Sequence, residues 1–418
     1  TVGQIVKIPP AQRTAGQLQK LEACFLDTAA PQEIRQQHER RLALRQARVA
    51  LIEEFPTTMV MQEMPVPRET FVLTRGEYNR PGEKVAPGVP ACFHGLPPDT
   101  PNNRLGLARW IVDADQPLTA RVAVNRLWQM VFGTGLVKTV DDFGSQGEWP
   151  SHPELLDWLA VQYQAGVDGQ QKWDTKRLVR LLVTSATYRQ SSRLTPQLQQ
   201  RDPENRLLGR GPRTRLSAEM VRDQALFAGG MLVERLGGPS VKPYQPAGLW
   251  KELADTDYVQ DTGENLYRRT MYTYFKRTVA PPTMMTFDAA GRETCVVRET
   301  RTNTPLQALT LMNEVTFVEA ARGLAQRVLL VPGLKPADRL SLACEWMLSR
   351  PPRGRELEIL LAAWQSHRER FHKTPAAAER LTKIGELPRP AGLDPVDLAA
   401  CMTVVEMLFN LDEAITKE

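Results

Sequence analysis

Residues 304–330 read TPLQALTLMNEVTFVEAARGLAQRVLL. Thr304 can cap a helix, and Pro305 suits the first helical position, where a missing N–H costs nothing. Gln307, at the third position, can reach back to close a capping box. Behind this entrance the pattern predicts one helix running to about Leu330. Further helical patterns at 336–349, 354–372 and 394–410 make the C-terminal third α-rich.

Working toward the N-terminus, Ser217 is a second strong helix start. It can cap, Glu219 lies in the first turn, and Leu216 and Val221 are placed to form a hydrophobic staple. This helix is expected to end near Leu236, before Gly237-Gly238. Residues 239–303 look irregular, except that YRRTMYTYFK (267–276) is aromatic and β-prone enough for a strand. Upstream, 103–112, 119–132 and 174–189 carry apolar residues at helical spacing, and Gly133-Thr134-Gly135 stops the second of these. From 56 to 102 proline recurs between short β-prone pieces, which suits an extended strap. Before it, Leu18, Leu21, Phe25 and then Ile34, His38, Leu42, Val49 and Ile52 mark two helices joined near Pro31. The expected fold is mainly α: a multi-helix domain with a proline-rich extended strap and a few short strands. Its parts are a helical hairpin (1–55), the strap (56–102) and an α-rich C-terminal domain (103–418).

The composition, 42% apolar and 24% charged over 418 residues, is that of a folded globular chain. No apolar run is long enough for a membrane span, since VLLVPGL (328–334) is cut by Pro332. A net charge of +5, from 53 basic and 48 acidic residues, does not point to nucleic acid. The chain opens at Thr1 with no basic n-region and apolar h-region, so it is expected to be processed or a piece of something longer. The five cysteines form no CxxC or CxxCH, which leaves structural zinc, dithiol redox chemistry and covalent haem within this chain unsupported. Cys344 and Cys401 sit in apolar helical stretches and are expected to pack.

Four polar stretches could carry chemistry. In DDFGSQGEWPSHPELLDW (141–158), Ser151 and Glu154 fit a capping box and the tryptophans fit packing. That leaves His152, Asp141 and Asp142 as candidates for acid–base work. No HExxH or two-histidine spacing accompanies them, so no metal is assigned. In RVAVNRLWQMVFG (121–133), Arg126 and Trp128 are candidate ligand-facing residues. The alternative there is a polar network in which Asn125 or Arg126 pairs with Asp141 or Asp142. In TSATYRQSS (184–192), Tyr188 and Arg189 could face a sugar or an anion, with helix-end capping as the alternative. In GRETCVVRETRTNTPLQ (291–307), Arg298 and Arg301 precede a helix start and suit sulfate or carboxylate. An internal salt bridge to Glu219 or Asp223 is the competing use.

Several blocks together resemble a known family: PTTMVMQE (56–63), FVLTRGEYNRPGEKVAPGVP (71–90), the long stretch 103–160, VTSATYRQSS (183–192), DPENRLLGR (202–210), RLSAEMVRD (215–223), TPLQALTLMNE (304–314) and LFNLDE (408–413). The family is the C-terminal domain of unknown function 1553, found mainly in planctomycetes and related bacteria. Its members often begin with a c-type cytochrome domain, and the likeness spans residues 56–413.

The resemblance implies an exported, extracytoplasmic protein of which this chain is a C-terminal piece. It also implies that haem c, if present, belongs to an N-terminal region of the parent; no cofactor is expected in this chain. The genomic company of sulfatases and polysaccharide-degrading functions implies a polysaccharide or sulfated glycan as partner, beside the parent's own cytochrome c domain. No nucleic acid and no membrane span are expected. The family offers no catalytic residues to carry over. The expected function is therefore a non-haem module that binds or processes extracellular polysaccharide. A glycan hydrolase, lyase or oxidase centred near His152 is one alternative, and an architectural domain of a cell-surface assembly is the other.

Overall fold

The computed structural model describes residues 1–166, 171–254, 256–276, 278–297 and 301–417. The chain forms two compact units, Thr1–Gly88 and Val89–Glu418, so the division falls inside the proline-rich stretch.

In the first unit, α1 (Val2–Val6) precedes the hairpin of α2 (Ala15–Thr28) and α3 (Gln32–Glu54). Thr14 and Gln17 form a reciprocal capping box at the start of α2, and Pro31 occupies the N-cap of α3. Part of the proline-rich stretch then folds as an antiparallel pair, β1 (Thr70–Leu73) and β2 (Pro81–Val85). Thr70 lies opposite Val85, and the register slips between Phe71 and Leu73.

The second unit is helical, with one further strand pair. Its first part holds α4 (Arg104–Ile111), α5 (Thr119–Phe132), α6 (Pro153–Ala165), α7 (Thr175–Thr184) and α8 (Pro196–Arg201). Next come β3 (Thr214–Arg215), α9 (Ala218–Ala228), α10 (Leu249–Ala254) and α11 (Pro282–Thr286). The C-terminal part consists of α12 (Pro305–Asn313), α13 (Val315–Leu330), α14 (Pro336–Leu348), α15 (Gly354–Lys373), α16 (Pro375–Leu381), α17 (Pro395–Phe409), α18 (Asp412–Ile415) and β4 (Thr416–Lys417).

Helix α13 is the axis of the larger core. Thr316 to Gln326 are all buried, as are Val328 and Leu329. A helix buried all round must be covered on every side, and α9, α14 and α17 supply that cover with Leu226, Leu340, Leu398, Val405 and Leu408.

The single helix expected over 304–330 is in fact two. Glu314 leaves the helical conformation (φ −74°, ψ 135°), and its carboxylate accepts from the Thr316 backbone N–H and hydroxyl, both at 3.0 Å. It thereby becomes the N-cap of α13, so the chain turns where a helix-forming residue gave no warning. Burial pushes its carboxyl up to about 6. The entrance at Pro305 is as expected, but Thr304 makes no side-chain cap. Gln307 points inward instead, accepting from Arg215 at 2.5 Å and donating to the Thr286 carbonyl at 3.0 Å.

Two other elements differ from expectation. Helix α9 stops at Ala228, short of Leu236, because the Met231 and Leu232 amides both turn back onto the Leu226 carbonyl. The stretch 267–276 forms no strand but a 3-10 turn, Thr270–Tyr272, with single bridges Val233–Arg268 and Val241–Thr273. The reason lies on α9. Buried Arg222 donates to the carbonyls of Leu266 (2.6 Å) and Arg268 (3.0 Å), while Asp223 accepts from the Thr270 amide (2.7 Å) and hydroxyl (2.6 Å). Side chains thus consume backbone groups that a sheet would have paired.

A smaller core joins α5, α6 and α7 through Val124, Trp128, Phe132, Leu156, Leu159, Leu178 and Leu182. Strand β3 pairs antiparallel with β4, Thr214 opposite Lys417. Lys417 then donates to the Val131 carbonyl on α5 at 3.1 Å and lies 3.8 Å over the Tyr188 ring. The chain's last turn is thereby tied to the smaller core.

A candidate ligand cleft between α5 and the approach to α12

Helix α5 has two faces. Val124, Trp128, Val131 and Phe132 are buried, whereas Arg126 and Met130 are exposed and Gln129 is half-buried. The helix ends at Gly133 with φ +84°, where a Cβ would stand 2.2 Å from Thr214 Cγ2. Only glycine fits this exit. Arg126, Gln129, Met130 and Gly133 line a cavity of about 340 Å3, and Val296, Val297 and Arg301 complete it.

The Arg301 side is braced from behind. The Thr302 amide donates to Asp288 at 2.7 Å, and its hydroxyl contacts both oxygens of the same carboxylate at 2.8 and 3.0 Å. Gln307, already held by Arg215, donates to that hydroxyl at 3.3 Å. Arg301 also borders a smaller cavity with Arg215, Glu219 and Asp288. Among the described residues, neither the Arg126 nor the Arg301 guanidinium makes a hydrogen bond or ion pair. Among the described residues Arg301 forms no bridge to Glu219 or Asp223, and the Asp223 carboxylate holds Thr270 and Arg269 instead. Arg298 lies outside the described residues.

A family model described as Protein of unknown function (DUF1553) matches residues 103–364. The chain belongs to the DUF1553 family. No curated protein and no solved structure matches it. Both walls of the arginine cleft fall inside the DUF1553 match, whereas α17, which covers α13, lies beyond it.

The other candidates occupy different surroundings. Trp128 is a core residue, 4% exposed and stacked on Phe132 at 4.1 Å, so its ring is taken up by packing. Tyr188 meets Phe132 edge-on at 5.8 Å and lies beneath Lys417; burial pushes its hydroxyl up. Arg189 is exposed just past α7. Asn125, fully buried, makes two 2.9 Å bonds to the backbone of Val137; this replaces the expected partnership with Asp141 or Asp142.

His152 occupies the N-cap of α6 without a side-chain cap bond, and its Nδ1 lies 3.0 Å from the Ser151 hydroxyl. Ser151 is held by the Leu136 carbonyl through its amide (2.9 Å), so the S-x-x-E capping box does not form. Asp142 accepts from the Gly144 amide at 2.7 Å, and Asp141 is exposed. None of these three lines the arginine cleft. Two tryptophans assigned to packing are on the surface instead: Trp149 is 82% exposed and Trp158 50%. Trp149 projects from a loop closed on itself, where the Thr139 hydroxyl accepts from the Glu148 amide and donates to the Asp142 carbonyl, both at 2.9 Å. Nothing in its spacing separates it from the buried tryptophans, since exposure here depends on how the loop is tied.

Among the described residues no group of three or more His, Cys, Asp or Glu is placed to hold a metal ion. No described helix is long and apolar enough to cross a membrane. Cys344 and Cys401 are buried, and burial pushes their thiols up to about 11 and about 12. They pack rather than react.

Proposed function

We propose that this DUF1553 chain is a binding module that holds an anionic segment of extracellular polysaccharide, sulfated or carboxylated, in the cleft between Arg126 and Arg301. The observation that carries this is that two guanidiniums without a partner among the described residues line one cavity. An arginine fork matches an oxyanion with two parallel N–H bonds, and such charge-assisted bonds are the stronger class. Gln129 adds a polar group, while Met130, Val296 and Val297 offer apolar contact to the C–H face of a sugar ring. The cavity volume lies within the roughly 300–1,000 Å3 of small-molecule sites. Exposed Trp149 supplies a further flat surface of the kind on which sugars stack.

In this proposal the chain is the non-haem C-terminal module of an exported, cytochrome c-linked protein of planctomycete type. Haem c is carried by a region outside this chain, and the parent's cytochrome domain is its neighbour. The setting is extracytoplasmic. An enzyme centred on His152 has less support, because that imidazole contacts its neighbouring serine and Asp142 ties down its own loop.

Calorimetric titration with a sulfated oligosaccharide and its desulfated twin tests the proposal. Arg126→Gln and Arg301→Gln should each raise Kd for the sulfated form about tenfold, as expected for losing a hydrogen bond to a charged group. Equal affinity for the two ligands, unchanged by either substitution, would overturn it.

A further inference from the structure

Helix α3 carries an apolar face left open to water. It outruns its hairpin partner α2, 23 residues against 14, and neither helix buries a single residue. Helix α2 lies on the side of Arg41, whose guanidinium is 3.8 Å from Glu22. At about 100° per residue, Ala43, Leu44, Ala47, Ala50 and Leu51 fall on a different side, within roughly 120° of one another. All five are exposed, Leu44 by 64% and Leu51 by 54%. A contiguous apolar stripe, as opposed to scattered single residues, marks a contact surface.

The ends of the stripe indicate what covers it. Arg40 closes one end and Glu54 the other, each one heptad from the central Ala47. Both are exposed, and neither makes an ion pair or hydrogen bond among the described residues. The stripe is therefore complementary to itself run in the opposite direction. With two copies antiparallel about Ala47, Arg40 meets the partner's Glu54 at both ends. Leu44 then lies over the partner's Ala50, and Leu51 over the partner's Ala43. The alanines let the backbones approach while the leucines fill the space above them. A parallel pair would instead set Arg40 against the partner's Arg40 and Glu54 against the partner's Glu54. We infer that this face of α3 is the surface through which two copies of the chain pair, antiparallel about Ala47. The overlap from Arg40 to Glu54 is about 21 Å long, so the contact is small and the pairing reversible. It is separate from the Arg126–Arg301 cleft and does not rest on the polysaccharide reading.

Sedimentation equilibrium of the intact chain tests the inference and should show a concentration-dependent exchange between monomer and dimer. Leu44→Glu and Leu51→Glu should each raise the dimer Kd at least about tenfold, because symmetry places each new charge in the contact twice. Arg40→Glu should raise it about fivefold by setting like charges together at both ends, and adding Glu54→Arg should restore the wild-type value. Arg126→Gln should leave it unchanged. Every substituted α3 position is exposed, and circular dichroism confirms that each variant is folded. A monomer at every concentration would overturn the inference, as would a dimer indifferent to Leu44→Glu and Leu51→Glu. A dimer that both leucine substitutions break but Arg40→Glu leaves intact would overturn the antiparallel arrangement.

Discussion

Replacing Glu406 with glutamine should stabilise the protein at pH 8 and change it little at pH 4. Glu406 lies half-buried on α17, its Oε1 has no hydrogen-bond partner among the described residues, and burial raises its pKa from 4.5 to about 7. One turn on, Asn410 Oδ1 is also buried and unpartnered. Two acceptors without a donor are poorly suited to each other until Glu406 takes up a proton and becomes one. The sign follows from linkage. Between pH 4.5 and 7 the folded state holds a proton that the unfolded state has released, so stability falls as pH rises through that window.

The full penalty is present above pH 7. At 1.36 kcal/mol per unit it amounts to about 3 kcal/mol, and partial solvent access reduces this to ~1–3 kcal/mol. Glutamine carries a permanent donor and no charge, so it removes the penalty. Guanidinium unfolding of wild type and Glu406→Gln at pH 4, 5, 6, 7 and 8 should show a difference that is near zero at pH 4 and grows to ~1–3 kcal/mol in the variant's favour at pH 8. A difference independent of pH, or a variant less stable at pH 8, would refute the reasoning by showing that the carboxylate has a partner when ionised.

Other outcomes follow from the same structure. Gly385→Ala should destabilise by about 3 kcal/mol or more, since φ is +81° and a Cβ would lie 2.2 Å from Glu319 Cδ; thermal unfolding measures it. The clash falls on a buried carboxylate that already serves the Tyr267 hydroxyl and the Leu387 amide. Asn125→Ala strands the Val137 amide and carbonyl and should cost about 2–4 kcal/mol by denaturant unfolding. Trp149→Ala should leave stability within about 0.5 kcal/mol but weaken binding of the polysaccharide segment, read by titration beside wild type.

Sequence periodicity revealed the helices wherever an apolar stripe met a clear cap, as at Ser217 and at the glycine after Phe132. It failed where a side chain's destination is set by distant residues. Glu314 reads as a helix former, yet becomes a cap because the chain must turn between α12 and α13. Gln307 has the position of a capping-box residue, yet Arg215, far away in sequence, draws it inward. The β-prone stretch near Thr270 loses its strand to Arg222 and Asp223 on a helix. The cleft was half legible. Arg126 and Arg301 stand out as arginines in polar motifs, but their meeting across one cavity is tertiary information. Trp128 and Trp149 show the same limit in opposite directions, one expected to face a ligand yet buried, the other expected to pack yet exposed.

The account stands most directly on where an anionic sugar sits, and a crystal structure of the chain with a sulfated oligosaccharide measures that position. It should place sulfate oxygens about 2.7–2.9 Å from the guanidinium nitrogens of both Arg126 and Arg301. A sulfated ligand bound elsewhere, with that cleft vacant, would contradict it.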